Sequence, residues 1–424
     1  MIKKLRNSFL IIGITLIIIL CFSCARPPEQ SKQKVKIRYL TYEVMPEQQK
    51  YLKQIEQKFE QTYPNIDLKI ETSTSGLQKL LIMLAGGDAP DCFLWNDENM
   101  TPLVEKNAIA DLTPLIKVDN LDLNQYFQEV TNAFTYDNGL YGLPVQFDTD
   151  ALYYNKHLFD TANLPYPNEN WTWDDFLTTA RKLTKDTNGD KKPDQFGCLR
   201  PDYLLVARSN GAKLFSSDLK SSGLNTPEAI ASLKFVNDIE NKYQVCPTQE
   251  QMRDRAGIQG ENLFATGKIA MFVGRTYQVV ELAKINEFDW DICPFPKGKV
   301  GRASRLQAEA NCMWVGSKHP NETWEFMKFY SSEKVLAITG SKKNSVPALK
   351  SVALSTIYCN PPPEHIKLFI DALPYAEPAP RMTKYNEFLE TIFRPELDLV
   401  FLNQKKPEQA IKDIVIKADK FLQR

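Results

Sequence analysis

The sequence predicts an α/β fold. Between residues 35 and 95, short runs with an apolar side chain at every second position alternate with longer runs whose apolar side chains recur every three or four. A second series of the same kind runs from residue 172 to residue 293. Period two marks a strand buried on one face, and a period near 3.6 marks an amphipathic helix. The length of 424 residues is enough for about two to three domains.

The first strand is Val35, Ile37 and Tyr39 alternating with Lys36 and Arg38. Tyr51, Leu52, Ile55 and Phe59 then form a helical stripe, ended by Pro64. Ile66, Leu68 and Ile70 give a second strand. Leu77, Leu80, Leu81 and Leu84 give a second helix, closed by Gly86 and Gly87, and Cys92 to Trp95 is a third strand. Strand, helix, strand, helix, strand predicts a mostly parallel sheet. Further on, Thr172 caps a helix, with Asp175 as the capping-box acid and Phe176, Leu177, Ala180 and Leu183 on its apolar face. The stretches 196–199, 229–243, 269–273 and 290–293 continue the series. Residues 407–424 read as one amphipathic helix carrying Ile411, Ile414, Val415 and Ala418.

The N-terminus has a different character. Lys3, Lys4 and Arg6 precede an apolar run from Phe9 to Phe22, too short for a comfortable membrane span. The run stops at Ser23-Cys24, which resembles a bacterial lipobox, although Cys21 stands where that motif usually has Leu. The expectation is a signal peptide over 1–23, lipidation of Cys24 and a polar tether over 24–34, which places the body of the chain outside the cytoplasm, anchored to the membrane. Losing those three cations from a balance of 52 basic and 52 acidic residues leaves a slight acidic excess. No basic stripe is present, so nucleic acid is not an expected partner. Cys92, Cys198, Cys293 and Cys312 sit in apolar, strand-like surroundings and read as small buried hydrophobes, while pairing among these four, Cys246 and Cys359 stays open for an exported chain. His157, His319 and His365 are isolated, and no CxxC spacing, HExxH, GxSxG, Walker loop or GxGxxG occurs in the mature chain. An enzyme is therefore not expected.

Six stretches align in order with one family: FEQTYPNIDLKIETSTSGLQKLLIMLAGGDAPDCFLW, YDNGLYGLPVQFDTDALYYNKHLFDTANLPYP, WTWDDFLTTARKLTKDTNGDKKPDQFG, FATGKIAMFVG, FDWDICPFPKG and SKHPNETWEFMKFYSS. Together they resemble the family 1 extracellular solute-binding proteins, the maltose-binding-protein-like receptors of ABC importers. The resemblance implies a periplasmic-binding-protein-like fold of two α/β lobes, with a hinge and a ligand cleft between them. It places lobe one at 35–148 plus 306–345 and lobe two at 149–305 plus 346–424. Crossings are expected near 146–150, 298–306 and 344–348. It implies a monomer that captures a sugar or oligosaccharide by hinge closure and delivers it to permease subunits. Two other readings stay open: a charged or polyol solute such as a uronic sugar or glycerol phosphate, and a sugar sensor for a membrane receptor kinase.

A sugar cleft needs flat aromatics for stacking and planar polar side chains for paired hydrogen bonds. In α/β sheets, ligands gather at the carboxyl ends of strands. That rule selects Tyr42 and Glu43 after the first strand, Thr74 and Ser75 after the second, and Trp95, Asn96 and Asp97 after the third. Gln146 and Asp148 lie at the first expected crossing. In lobe two the rule selects Arg200, Asp202 and Tyr203, then Gly274, Arg275 and Tyr277, with Gly274 allowing close backbone approach. Gln307 and Glu309 stand where family members often have small residues, and Tyr375 and Arg381 lie in a Pro-rich loop of the kind that often lines the cleft. Arg200, Arg275 and Arg381 either favour an acidic sugar or pair with Asp202, Glu309 and Glu377. Trp171 and Trp173 read as a staple for the helix they flank.

No cofactor is expected, with one open question. Asp186, Asn188, Asp190 and Asp194 occupy positions 1, 3, 5 and 9 of an EF-hand-like loop, with the Lys192 carbonyl at position 7. Position 6 is Lys191 and position 12 is Gly197, so the usual glycine and the bidentate Glu are both missing. The loop reads either as a weak structural calcium site or as a solvated series of Asx turns.

Overall fold

Val35 to Thr41 runs parallel to Ile66 to Thr72, residue for residue, from Val35 opposite Ile66 to Thr41 opposite Thr72. A parallel pair needs a crossover, and the helix Pro46–Thr62 supplies it, burying the stripe Tyr51, Leu52, Ile55 and Phe59. Each of these side chains contributes about 1.5–3 kcal/mol on burial. The computed structural model describes residues 34–248, 251 and 260–423; Cys24, the signal-like segment and the tether up to Gln33 lie outside them.

The strands in chain order are β1 (Val35–Thr41), β2 (Ile66–Thr72), β3 (Cys92–Asn96), β4 (Thr135–Tyr136), β5 (Gly139–Leu140), β6 (Leu143–Asp148), β7 (Asp150–Asn155), β8 (Met271–Arg275), β9 (Trp290–Cys293), β10 (Ser304–Arg305), β11 (Gln307–Met313), β12 (Val346–Pro347) and β13 (Ala376–Glu377). Lobe one is built on a six-stranded sheet in the order β12-β6-β11-β3-β1-β2. β1 is parallel to β2 and β3. β11 is antiparallel to both of its neighbours, β3 and β6, and β12 is antiparallel to β6. The expected mostly parallel sheet therefore holds for the first three strands, and the sheet as a whole is mixed. The physical reason is topological: β11 returns from the second lobe and must enter from the hinge end, opposite in direction to its neighbours.

Lobe two is built on the antiparallel sheet β8-β7-β9. One face of β7 looks into the core that continues from lobe one, through Tyr153. The other packs Leu152 and Tyr154 against a separate core with Phe176, Val206, Leu233 and Ile414. The C-terminal helix Pro407–Leu422 buries Ala410, Ile411, Ile414 and Ala418 there. The helix Trp173–Leu183 carries the expected capping box between Thr172 and Asp175. Trp173 packs edge-on against Phe176, Phe235 and Phe295, with its indole N–H donating to Ser209, so its surroundings are structural.

The chain leaves the first sheet at Asp148 and enters the second at Asp150, with Thr149 between them donating to the Phe369 carbonyl at 2.6 Å. The second link is 304–307, where β10 pairs with β13 and β11 begins. The third expected crossing, 344–348, begins in the first sheet. Val346 and Pro347 pair with Phe147 and Gln146 in the first sheet, and Val352, Ala353 and Tyr358 pack in the same core.

Local expectations differ in two places. In the helix Gly76–Gly86, Leu80 is buried but Leu81 is exposed, because only one side of this short helix meets the sheet. The cysteines Cys92, Cys198, Cys246, Cys293 and Cys312 are buried and unpaired, and Cys359 is partly buried and unpaired. No helix among the described residues is long and apolar enough to cross a membrane.

Candidate ligand-binding cleft

The carboxyl ends of β1, β2 and β3 open onto a hollow of about 400 Å³ lined by Tyr42, Val44, Thr74, Gly76, Trp95 and Asn96. Strand ends expose backbone and side chains that the sheet no longer covers, which is why ligands gather there. Trp95 is mostly buried, its indole N–H held by the Asn99 carbonyl at 2.9 Å, so it offers an edge of a fixed ring. Asn99 also donates to Asn96 Oδ1 at 2.7 Å, which orients that amide.

Beneath this hollow lies a row of polar side chains. In the sheet register Glu309 stands opposite Asn96 on one side and Gln146 on the other. Cross-strand neighbours share a face, so Glu309 and Gln146 extend the floor that Asn96 begins. Gln146 Nε2 donates to Glu309 Oε2 at 2.6 Å. Glu43 lies alongside, accepting from the hydroxyls of Tyr51 and Tyr330. Asp148 accepts from Ser345 at 3.3 Å through Oδ2, while its Oδ1 is buried without a hydrogen bond. Burial pushes Glu43 up to about 7, and neighbouring Glu309 adds to the effect. Asp148 is likewise pushed up to about 7 by burial and by Glu309, with Arg275 opposing. Glu309 itself is raised by burial. The Tyr42 hydroxyl faces this group and is buried without a geometrically sound hydrogen bond.

The opposite wall belongs mainly to lobe two. A hollow of about 350 Å³ is lined by Arg200, Asp202, Tyr203, Val273, Arg305 and Phe401, among others. An adjoining one of about 170 Å³ brings Glu98 from the end of β3 against Asp202, Arg208, Arg275, Arg305 and Tyr385. The arginines here are largely committed. Arg200 pairs with Glu240 at 2.7 Å and lies 3.7 Å above the Phe401 ring. Arg208 pairs with Glu377, and Arg305 with Asp150 and Asp202. Arg275 donates to Gln307, joining the second sheet to the start of β11. A separate hollow of about 460 Å³, around Trp173, Asn210 and Lys297, lies on the flank of lobe two and contains none of the residues selected by the strand-end rule.

The structure thus brings Tyr42, Thr74, Trp95 and Asn96 together, and separately Arg200, Asp202, Tyr203 and Arg275. Other selected residues have different surroundings. Asp97 is buried, accepting from the backbone N–H groups of Ala308 at 2.9 Å and Ala379 at 3.2 Å, so it braces three chain segments. Glu43 is 3% exposed and sits under the floor. Gly274 is required by internal packing: a Cβ there would meet Gln278 Oε1 at 2.2 Å and the rings of Phe272 and Tyr153 at 2.6 and 2.8 Å. The Tyr203 hydroxyl is buried against the Ala229 carbonyl. Ser75 is exposed beside Ser73, Tyr277 is exposed, and Tyr375 is partly buried; none of the three lines these hollows. Arg381 lies over the Tyr136 ring and donates to the Asn132 carbonyl, tying the Pro-rich loop to lobe one. The pairings with Asp202, Glu309 and Glu377 that the sequence offered for Arg200, Arg275 and Arg381 are replaced by Glu240, Gln307 and Asn132. Arg305 and Val44 were not selected from the sequence; an arginine at an expected crossing was the available signal for the first.

In the loop 186–194, Asp186 accepts from the backbone N–H groups of Gly189 and Lys191, Asp190 from Lys192, and Asp194 from Thr187. These are Asx-type turns that use the carboxylates on the loop's own backbone. Among the described residues, the three-membered His, Cys, Asp or Glu group with ligand atoms within 4.8 Å is Asp291, Glu364 and His365. There Lys156 already places its ammonium 3.3 Å from both Asp291 and Glu364.

Comparison with known proteins decides the family. The bacterial extracellular solute-binding protein family matches residues 42–337, more than half of the chain. The chain is a bacterial extracellular solute-binding protein. Among similar solute-binding sequences is a putative binding protein of Brucella abortus (strain 2308), 26% identical over 387 residues, covering 88% of this chain and 90% of that one. The maltodextrin-binding protein MdxE of Bacillus subtilis (strain 168) is 26% identical over 325 residues, covering 75% and 72%. Among solved structures, an ABC substrate-binding protein of Listeria monocytogenes in complex with cycloalternan superposes with a TM-score of 0.82 at 26% identity, covering 92% of this chain and 99% of that one. Solute-binding proteins of this fold consist of two α/β lobes about a hinge, as here.

Proposed function

We propose that this solute-binding protein is the extracytoplasmic receptor of an ABC importer and captures a sugar or oligosaccharide between its lobes. The observation that carries the reading is the cleft: an aromatic and amide wall of Tyr42, Trp95 and Asn96 on lobe one, and a wall of Arg200, Asp202, Arg275 and Arg305 on lobe two. Aromatic faces suit the weakly apolar side of a pyranose, and amide and guanidinium groups suit its hydroxyls. The names of the relatives, which bind maltodextrin and cycloalternan, support a saccharide. Gln146, Asp148, Gln307 and Glu309 belong to the cleft floor in this reading.

The reading includes no catalytic step, in keeping with the solute-binding family to which the chain belongs. It also includes lipid anchoring through Cys24 and delivery to permease subunits by a monomer. Anchoring rests on the N-terminal sequence, and delivery rests on the family. A thermal-shift screen against mono- and oligosaccharides, uronic acids and polyols tests the ligand. A ligand of the folded state adds about 2.7 kcal/mol of stability at a hundred times its Kd. A shift with one saccharide class is expected; shifts confined to non-sugar solutes overturn the sugar assignment.

A further inference from the structure

We infer that Asp97 is a positioning residue for ligand capture: its buried carboxylate fastens a strap of lobe two, residues 376–384, to the end of β3, and so sets the angle between the lobes without touching the ligand. The inference rests on the reading that a solute is captured between the lobes. Asp97 follows β3 directly, and it is 6% exposed. Asn96 before it and Glu98 after it line the hollows on either side, but Asp97 lines none of the four hollows described above.

The strap is held to lobe two at both ends. Ahead of it, His365 bonds Asp291 of β9 at 2.8 Å, and the Phe369 carbonyl accepts from Thr149 beside β7. Behind it, Tyr385 and Phe388 are buried in the separate core of lobe two. Its first residues run beside the second link: Ser304 stands opposite Ala376 and Arg305 opposite Glu377, in parallel, and the Leu306 N–H donates to the Glu377 carbonyl at 2.8 Å. Two strands thus arrive side by side, and Asp97 receives both. Its Oδ1 accepts from the backbone N–H of Ala308, in β11, at 2.9 Å. Its Oδ2 accepts from the backbone N–H of Ala379, in the strap, at 3.2 Å.

Other bonds tie the strap and the residues after it to lobe one. Arg381 donates to the Asn132 carbonyl, Thr383 to Glu105 and Asn386 to Asn99. The first two lie in solvent, where water competes for the same groups. Asp97 is the dry fastening: a carboxylate bonded to two backbone N–H groups is a charge-assisted pair of bonds, and neither oxygen has water to replace a lost donor. Because Asn96 shares its backbone, the wall that meets the ligand and the strap that joins the lobes are fixed by adjacent residues. A protein whose binding-competent lobe angle is less populated binds more weakly in proportion.

The test uses Asp97→Asn, which keeps the shape but turns an amide N–H₂ towards one of the two donors, and Ala379→Pro, which removes the strap's N–H and leaves the bond to Ala308. Fluorophores on unnatural amino acids at the exposed Val118 in lobe one and Ile416 in lobe two report the interlobe distance of the ligand-free protein by single-molecule energy transfer. Maltohexaose and cycloalternan are the binding probes, followed by calorimetry. Both variants are expected to shift or broaden the distance distribution and to raise the Kd of whichever probe binds at least fivefold. A lower melting temperature with an unchanged distribution overturns the inference, since a brace with no bearing on lobe angle does that. An altered distribution with an unchanged Kd also overturns it. If Asp97→Asn fails to fold, Ala379→Pro decides. If neither probe binds wild type, that counts against the saccharide reading, and the distance distributions alone then uphold or overturn the role of Asp97.

Discussion

Arg305 grips Asp150 at three points. Its Nη2 donates to Oδ1 at 2.6 Å, and its Nε and backbone N–H donate to Oδ2 at 3.2 and 2.8 Å. Asp150 is the first residue of lobe two after the crossing, and its carboxylate is fully buried. Burial works against its charge, but Arg305 carries the carboxyl below its ordinary value. Arg305→Ala leaves that charge unmatched, and a loss of about 3 kcal/mol is expected, at the low end for buried pairs because the guanidinium is partly exposed. Urea unfolding measures it. A lowered carboxyl contributes its stability above the ordinary carboxylate range and loses it as pH falls. The gap between wild type and variant should therefore narrow below about pH 4.

The carboxyls of Glu43 and Asp148 are displaced in the opposite direction. Each is pushed up to about 7, so the folded state holds protons that the unfolded chain has released. Stability then declines as pH rises from the ordinary carboxyl values near 4 towards 7. Glu43→Gln keeps an acceptor for Tyr51 or Tyr330 and removes the charge. Its melting temperature relative to wild type should be higher at pH 8 than at pH 5. An unchanged difference between the two pH values would refute the assignment.

Gly274 separates packing from recognition. Its Cβ position is occupied by Gln278, Phe272 and Tyr153. Gly274→Ala forces those groups apart and should cost about 1–3 kcal/mol. Its Kd for ligand, measured well below the melting temperature, should stay close to that of wild type.

Tyr42 makes the converse case. Half-buried at the hollow's edge, it contributes a face to the cleft. Tyr42→Ala should weaken ligand binding by about tenfold, as loss of one aromatic contact does. Arg275→Ala should weaken it too, and calorimetry on both variants checks the pair.

The loop 186–194 already spends its carboxylates on backbone N–H groups. Adding calcium or a chelator should leave the melting temperature unchanged; a rise of several degrees with calcium would show that the ion displaces those bonds.

Much of lobe one was legible because its signals are local. The β1–helix–β2 unit follows from Ile37, Tyr39, Tyr51, Ile55 and Phe59, all within 25 residues and all buried as the period requires. The strand-end rule found Tyr42, Trp95 and Asn96 for the same reason. Non-local placements were not legible. Nothing near Ala310 says that it will stand between Trp95 and Pro144. Glu43 and Glu309 read as cleft-facing residues, yet both are buried, with Gln146 and Asp148 beside them. Gly274 read as space for a ligand, where the space is already taken by Gln278, Phe272 and Tyr153, the last 121 residues away in sequence.

The position of β11 also governs the order of assembly. It fills the gap between β3 and β6, and it lies downstream of the whole of the second sheet. A nascent chain that ends between Asp148 and Gln307 has open sheet edges at β3 and β6, with no strand to join them. Lobe one, although begun first, therefore waits for a strand made after the whole of the second sheet. Any factor that shields the growing chain must cover those edges for more than 150 residues of synthesis, the stretch from Asp148 to Met313.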